Sequence, residues 1–194
     1  MLHHEESIAA FVESARADGA CDAVIVEGSV ARGTERADSD VDLYLLVGDE
    51  TFGKARRDGR LSYVTADGIA YEGGYFDIKL VTLDYLDQAA IRGDDPCRAS
   101  FESARVVWTT VDDLADRLAR ILAISDESWR EREAKFIAHA RLQNWYFVPQ
   151  ADKLGNTFLL HHAAVHLVMN SRATQLMNVR SSSFSTSATP RTST

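Results

Sequence analysis

The sequence predicts an α+β fold, with a mixed β-sheet and flanking helices in residues 1–110 and a helical region over residues 111–180. Three observations carry this reading. Short β-branched runs alternate with helical periodicity in the first part. One of those runs ends directly in a Gly-Ser turn, and from Val111 onward apolar residues recur at helical spacing.

The elements follow in order. Ile8, Phe11, Val12 and Ala15 mark one face of a first helix over about residues 5–18, which Gly19 stops. Residues 22–27 (DAVIVE) form a short β-branched run that delivers a tight turn at Gly28. A brief helix then runs from Ser29 to Arg32 and ends at Gly33. After a polar loop over 34–39, residues 40–47 (DVDLYLLV) form a second strand, followed by Gly48-Asp49. Residues 61–66 and 69–71 flank Asp67-Gly68, which predicts a hairpin. Gly73-Gly74 leads into a strand over 75–81, Thr82 caps a helix over 83–91, and residues 92–96 (RGDDP) break it. A last short strand is expected at 105–109. Leu114, Leu118, Ile121 and Leu122 form a helical stripe, and helices over 129–147 and 151–179 follow, separated near Pro149. The Ser/Thr-rich segment 181–194 has almost nothing to bury and is expected to be a disordered tail.

Composition narrows the function classes. Asp and Glu number 29 against 21 Lys and Arg, and no dense basic run offsets that excess, so a long nucleic acid is not expected as a partner. Cys21 and Cys97 form no metal-ligand spacing and read as free thiols. The N-terminal segment lacks the layout of a signal peptide and no run is long and apolar enough to span a membrane, so a cytoplasmic location is expected.

The chemistry concentrates in GSVARGTERADSDVDL, residues 28–43. Gly28 allows close backbone approach to a ligand, the helix start after it offers N–H groups to an anion, and Ser29 adds a hydroxyl donor. Phosphate suits that turn. Asp40 and Asp42, two apart on a strand, share a face, and unpaired with any nearby Lys or Arg they repel one another. A divalent cation resolves that repulsion, and Mg²⁺ characteristically takes one or two carboxylates together with phosphate oxygens. Asp77, embedded in the apolar run 75–80, is the candidate third carboxylate of a two-metal site. The chemistry expected is in-line attack of an acceptor hydroxyl on the α-phosphorus of a nucleoside triphosphate, with release of pyrophosphate.

These residues resemble the signature of the polymerase-beta nucleotidyltransferase superfamily, GS followed by (S)DxD and a later Asp. The run is similar to that of small bacterial nucleotidyltransferase-domain proteins, which include aminoglycoside and lincosamide adenylyltransferases and minimal nucleotidyltransferase antitoxins. The motif covers about 16 residues and the related fold would cover roughly residues 20–110. The resemblance implies Gly28 and Ser29 on the triphosphate, Asp40, Asp42 and Asp77 on two Mg²⁺ ions, and a helical region shaping the acceptor pocket. It implies transfer of a nucleoside monophosphate, AMP from ATP, to a small molecule such as an aminoglycoside or to a protein side chain. A catalytically weak nucleotide-binding, antitoxin-like module acting on a protein partner is the alternative.

Simpler readings stand beside these. Asp77 could instead form a structural ion pair with Lys79 or Arg105. Arg32 could reach a triphosphate or be a solvated helix residue, and Lys79 shares a strand face with Asp77 and could touch phosphate. Ser39 suits a role in orienting the turn before Asp40. His161, His162 and His166 read as helix packing, and the run Trp145-Tyr146-Phe147 as packing against the sheet domain.

Overall fold

A computed structural model describes residues 1–19 and 21–185, with side chains as far as residue 175. The chain divides into two compact units, Met1–Ala123 and a second from Ile124 onward.

The first unit is built on a five-stranded sheet in the order β3-β4-β2-β1-β5. Its strands are β1 (Ala23–Glu27), β2 (Val41–Leu46), β3 (Ser62–Thr65), β4 (Phe76–Val81) and β5 (Arg105–Thr109). β1 runs antiparallel to both β2 and β5, β3 runs antiparallel to β4, and β2 pairs parallel with β4, so the sheet is mixed. Alternation along the central strands sends successive side chains to opposite faces. Val24, Val26, Val41, Leu43, Leu45, Phe76 and Ile78 make one core with Ile8 and the partly buried Phe11, Val12 and Ala15 of α1 (Leu2–Asp18). Ala23, Ile25, Tyr44, Leu46 and Val81 make the other. That second face is covered by α4 (Leu83–Arg92), α5 (Asp95–Phe101) and α6 (Leu114–Leu122), through Leu86, Phe101, Leu118 and Ile121. The mixed-sheet α+β architecture expected from sequence is what forms.

Several local expectations hold for the physical reason given. Gly19 and Gly33 adopt left-handed φ of 59° and 68° and cap α1 and α2 (Gly28–Arg32). The Thr82 hydroxyl accepts from the Tyr85 N–H at 3.2 Å and caps α4. Others are corrected. Residues 69–71 form no strand, and β3 pairs instead with β4. Tyr71 turns away to donate its hydroxyl proton to the Ser39 carbonyl at 2.7 Å. Helix α3 (Asp49–Arg57) fills a stretch that carries no apolar period. Acids in its first turn and bases in its last complement the helix dipole. α5 begins just past the expected break, because the Asp94 carboxylate caps the Cys97 N–H at 2.9 Å and Pro96 sits in the first turn, where no N–H is required.

The second unit contains α7 (Asp126–Leu142), a π-helical turn at Gln143–Phe147, α8 (Val148–Lys153) and α9 (Thr157–Ser185). α7 packs along α9. Pro149 does not separate helices, since it lies in the first turn of α8, and the break falls at Gly155-Asn156. Trp145 and Tyr146 are 70% and 54% exposed, and His161 and His162 are exposed, although the rings of His162 and His166 lie 4.3 Å apart along α9. Of the expected tail, residues 181–185 continue α9 and residues 186–194 lie outside the described residues. No described helix is long and apolar enough to cross a membrane.

Candidate active site

The sheet face that carries Ile25, Tyr44 and Val81 under helices continues along the same stripes into Glu27, Asp42, Lys79 and Asp77. The period-two pleat makes one stripe apolar in its covered part and polar at its end. Register brings the acids together. Asp42 lies opposite Glu27 on β1 and opposite Asp77 on β4. Asp40 immediately precedes β2, where the Val41 N–H bonds the Tyr75 carbonyl at 2.9 Å.

The Gly-Ser turn meets this cluster at Gly28. Its φ is +70°, and a Cβ there would stand 1.9 Å from Asp42 Oδ2. Only glycine provides both the backbone conformation and the room. Ser29, the next residue, is half-buried in α2. That helix has five residues, too short to develop the dipole expected of it, so any anion affinity here rests on the local N–H groups and the Ser29 hydroxyl. Arg32 ends α2 and is exposed.

Lys79 is the surprise of the site. Its Nζ lies 3.2 Å from Asp77 Oδ2, 3.3 Å from Glu27 Oε1 and 3.6 Å from Asp42 Oδ1. The premise that Asp40 and Asp42 lack a basic partner is therefore corrected for Asp42, which Lys79 reaches from the neighbouring strand β4, while the ion pair of Asp77 with Lys79 is the one the sequence offered as the alternative. Arg105, the other candidate partner of Asp77, instead forms a two-pronged pair with Glu5 at 2.7 and 3.1 Å. Lys79 as a phosphate ligand has to be reconciled with an ammonium already engaged by three acids.

Electrostatics follow this packing. Burial pushes the Glu27 carboxyl above the usual range and Lys79 partly restores it. Asp42 is raised by burial and by repulsion from Asp40, with Lys79 again opposing. Lys79 loses some basicity to burial, but Glu27 and Asp77 outweigh that loss and the net shift is upward. The nearby Asp40 carboxylate raises the Tyr75 phenol. Three carboxylates thus share one ammonium and Asp40 adds a fourth negative charge nearby, a surplus at the mouth of the Gly-Ser turn.

Sequence reasoning missed Glu27, Tyr75, Tyr71 and His4. Glu27 is 4% exposed and its signal was available, since an acid ending a buried β-branched run needs a partner. The others depend on long-range packing. The Ser39 carbonyl accepts from both Tyr71 and His4 Nε2, the latter at 3.2 Å, while the Ser39 hydroxyl accepts from the Arg36 N–H at 2.9 Å. Ser39 thereby fixes the loop that delivers Asp40.

A hard divalent cation matches the oxygen donors of Asp40 and Asp42, with Asp42 Oδ2 turned toward Gly28. Between Asp42 and Asp77 the ammonium of Lys79 intervenes. Among the described residues no three His, Cys, Asp or Glu side chains are grouped to hold a metal ion by themselves.

No family model matches the sequence, and no curated protein matches it. Among solved structures the chain is similar to a nucleotidyltransferase-like protein from Exiguobacterium sibiricum 255-15, with a TM-score of 0.44 and 14% sequence identity. The match covers 87% of this chain, which spans 57% of the length of that one.

Proposed function

We propose that this chain is a metal-dependent nucleotidyltransferase that moves a nucleoside monophosphate, AMP from ATP, onto an acceptor hydroxyl. The observation that supports the reading best is the meeting of Gly28 with the Asp42 carboxylate, while Asp42 stands in register with Asp77. A Gly-Ser turn and a strand-borne carboxylate pair that meet in this way suit one ligand, a metal-bound polyphosphate.

In this reading Gly28 and Ser29 receive the triphosphate, and Asp40 and Asp42 hold the Mg²⁺ that accompanies it. Arg32, exposed beside the turn, is free to approach the outer phosphates. The metal supplies charge neutralisation on the phosphate oxygens and lowers the cost of negative charge developing at phosphorus. Asp77, whose side chain is 29% exposed, takes the proton of the acceptor hydroxyl. The acceptor oxygen forms a bond to the α-phosphorus, the bond from that phosphorus to the bridging oxygen breaks, and pyrophosphate leaves. Lys79, whose ammonium lies 3.2 Å from Asp77 Oδ2, orients that carboxylate. The acceptor is a small molecule or a protein side chain.

Incubation with α-labelled ATP, Mg²⁺ and a cell lysate as acceptor pool tests this. Labelled product with matching pyrophosphate release is expected, and Asp42→Asn should lower it by about 10²–10³, the usual loss when transition-state charge stabilisation is removed. ATP binding with no pyrophosphate release under any acceptor would favour the non-catalytic binding module.

A further inference from the structure

We infer that Lys79 is a built-in cation occupying the position between Asp42 and Asp77, so that this site accepts one exchangeable divalent ion and not two. The inference deepens the reading above and rests on it.

Asp42 and Asp77 are register partners on parallel strands, and any cation bridging them must sit over the β2–β4 seam. Lys79 follows Asp77 by two residues, shares its face, and places its Nζ over that seam at 3.6 and 3.2 Å from the two carboxylates. Its third contact, Glu27 at 3.3 Å, explains why the ammonium stays. The Glu27 side chain is 5% exposed, and leaving such a carboxylate without its cation is strongly unfavourable. A metal ion entering the seam would have to expel Lys79 and strand Glu27. The ammonium donates a hydrogen bond to Glu27 and is ion-paired with Asp77 and Asp42, so three carboxylates hold it in place.

The remaining donors point elsewhere. Lys79 engages Asp42 through Oδ1, whereas Oδ2 faces Gly28. Asp40 immediately precedes β2, two residues before Asp42. Asp42 Oδ2 and the Asp40 carboxylate are the donors that Lys79 leaves for a divalent ion next to the phosphate turn. Lys79 is a positioning residue with a fixed charge, standing where a second metal ion would otherwise balance Asp77.

The test is a Mn²⁺ titration of the full chain, with free Mn²⁺ read by electron paramagnetic resonance and no nucleotide present. One ion per chain is expected for the native sequence and two for Lys79→Met. Because Lys79→Met leaves Glu27 uncompensated, the double variant Glu27→Gln/Lys79→Met is titrated in parallel, with its fold checked by circular dichroism, and the same two ions are expected. Two ions in the native chain, or one ion in both folded variants, overturn the inference and leave the nucleotidyltransferase reading standing. No bound ion in any of the three overturns both and locates the failure in the Asp40–Asp42 metal position.

Discussion

Gly28 and Gly33 bracket the same short helix with nearly equal φ, 70° and 68°, yet their surroundings differ. Nothing lies within 4 Å of a Cβ built on Gly33, whereas one on Gly28 would collide with Asp42 Oδ2. Gly33→Ala should therefore cost only the left-handed backbone penalty, about 1–2 kcal/mol in urea unfolding. Gly28→Ala carries that same penalty and must also displace the Asp42 carboxylate. Its expected signature is a larger stability loss together with loss of Mn²⁺ binding, and retention of native metal affinity would show that Asp42 does not need its present position. Glu27 and Lys79 teach a related lesson. Neither residue announced its partner in sequence, since one ends β1 and the other lies in β4, and only the placement of β2 between them brings them into contact.

At the scale of elements, Arg98 holds three helices by their ends. From α5 it donates to the Gly93 carbonyl and the Ala90 carbonyl, each at 2.9 Å, and to the Ile121 carbonyl in the last turn of α6. Those carbonyls lie at helix C-termini, where acceptors lack intrahelical partners and a cation is favoured. Arg98→Met should lower unfolding free energy by about 2–4 kcal/mol, given roughly 1.5–3 kcal/mol for a hydrogen bond to a charged group and incomplete additivity. Arg98→Lys should recover little of it, because a single ammonium cannot reproduce a planar fork reaching three carbonyls. Equal stabilities of all three proteins in chemical denaturation would refute the clamp. The clamp bears on the site because α4, α5 and α6 cover the apolar part of the very stripes that emerge as Asp42 and Asp77.

For the whole first unit, pH couples to folding through His4. It is fully buried, donates from Nε2 to Ser39, and leaves Nδ1 without a partner among the described residues. Burial lowers its basicity, the Ser39 carbonyl and Glu35 oppose this, and His3 and the amino terminus reinforce it. The folded value thus lies below the ordinary 6.5. Above pH 6.5 both states are neutral and the contribution is complete. As pH falls through 6.5 the unfolded chain takes up the proton first, and stability is lost until the folded value is passed. Thermal unfolding between pH 8 and pH 5 should show this acid decline in the native chain and a shallower one in His4→Gln. An identical slope in both would mean that His4 is not the linked group.

The sequence by itself determined the elements whose signals are local. The β-branched runs of β1 and β2, the glycine stops at Gly19 and Gly33, the Thr82 cap and the spacing of Asp40 and Asp42 needed no partner to be read. It missed α3, which has no apolar period, and it misjudged the segment 69–71, whose alternation was overridden when Tyr71 bonded Ser39. It offered Asp77 as a third carboxylate with Lys79 on the same strand face, and left open whether that lysine would pair with the acid or touch phosphate. Tertiary structure alone decided that β4 pairs parallel to β2 with Asp77 opposite Asp42, that Glu27 joins them, and that Lys79 sits in their midst. The reason is physical. Helix periods and turn residues are set by neighbours a few positions apart, whereas strand register, burial and the electrostatic balance of a charge cluster are set by residues far apart in sequence, 52 positions in the case of Glu27 and Lys79.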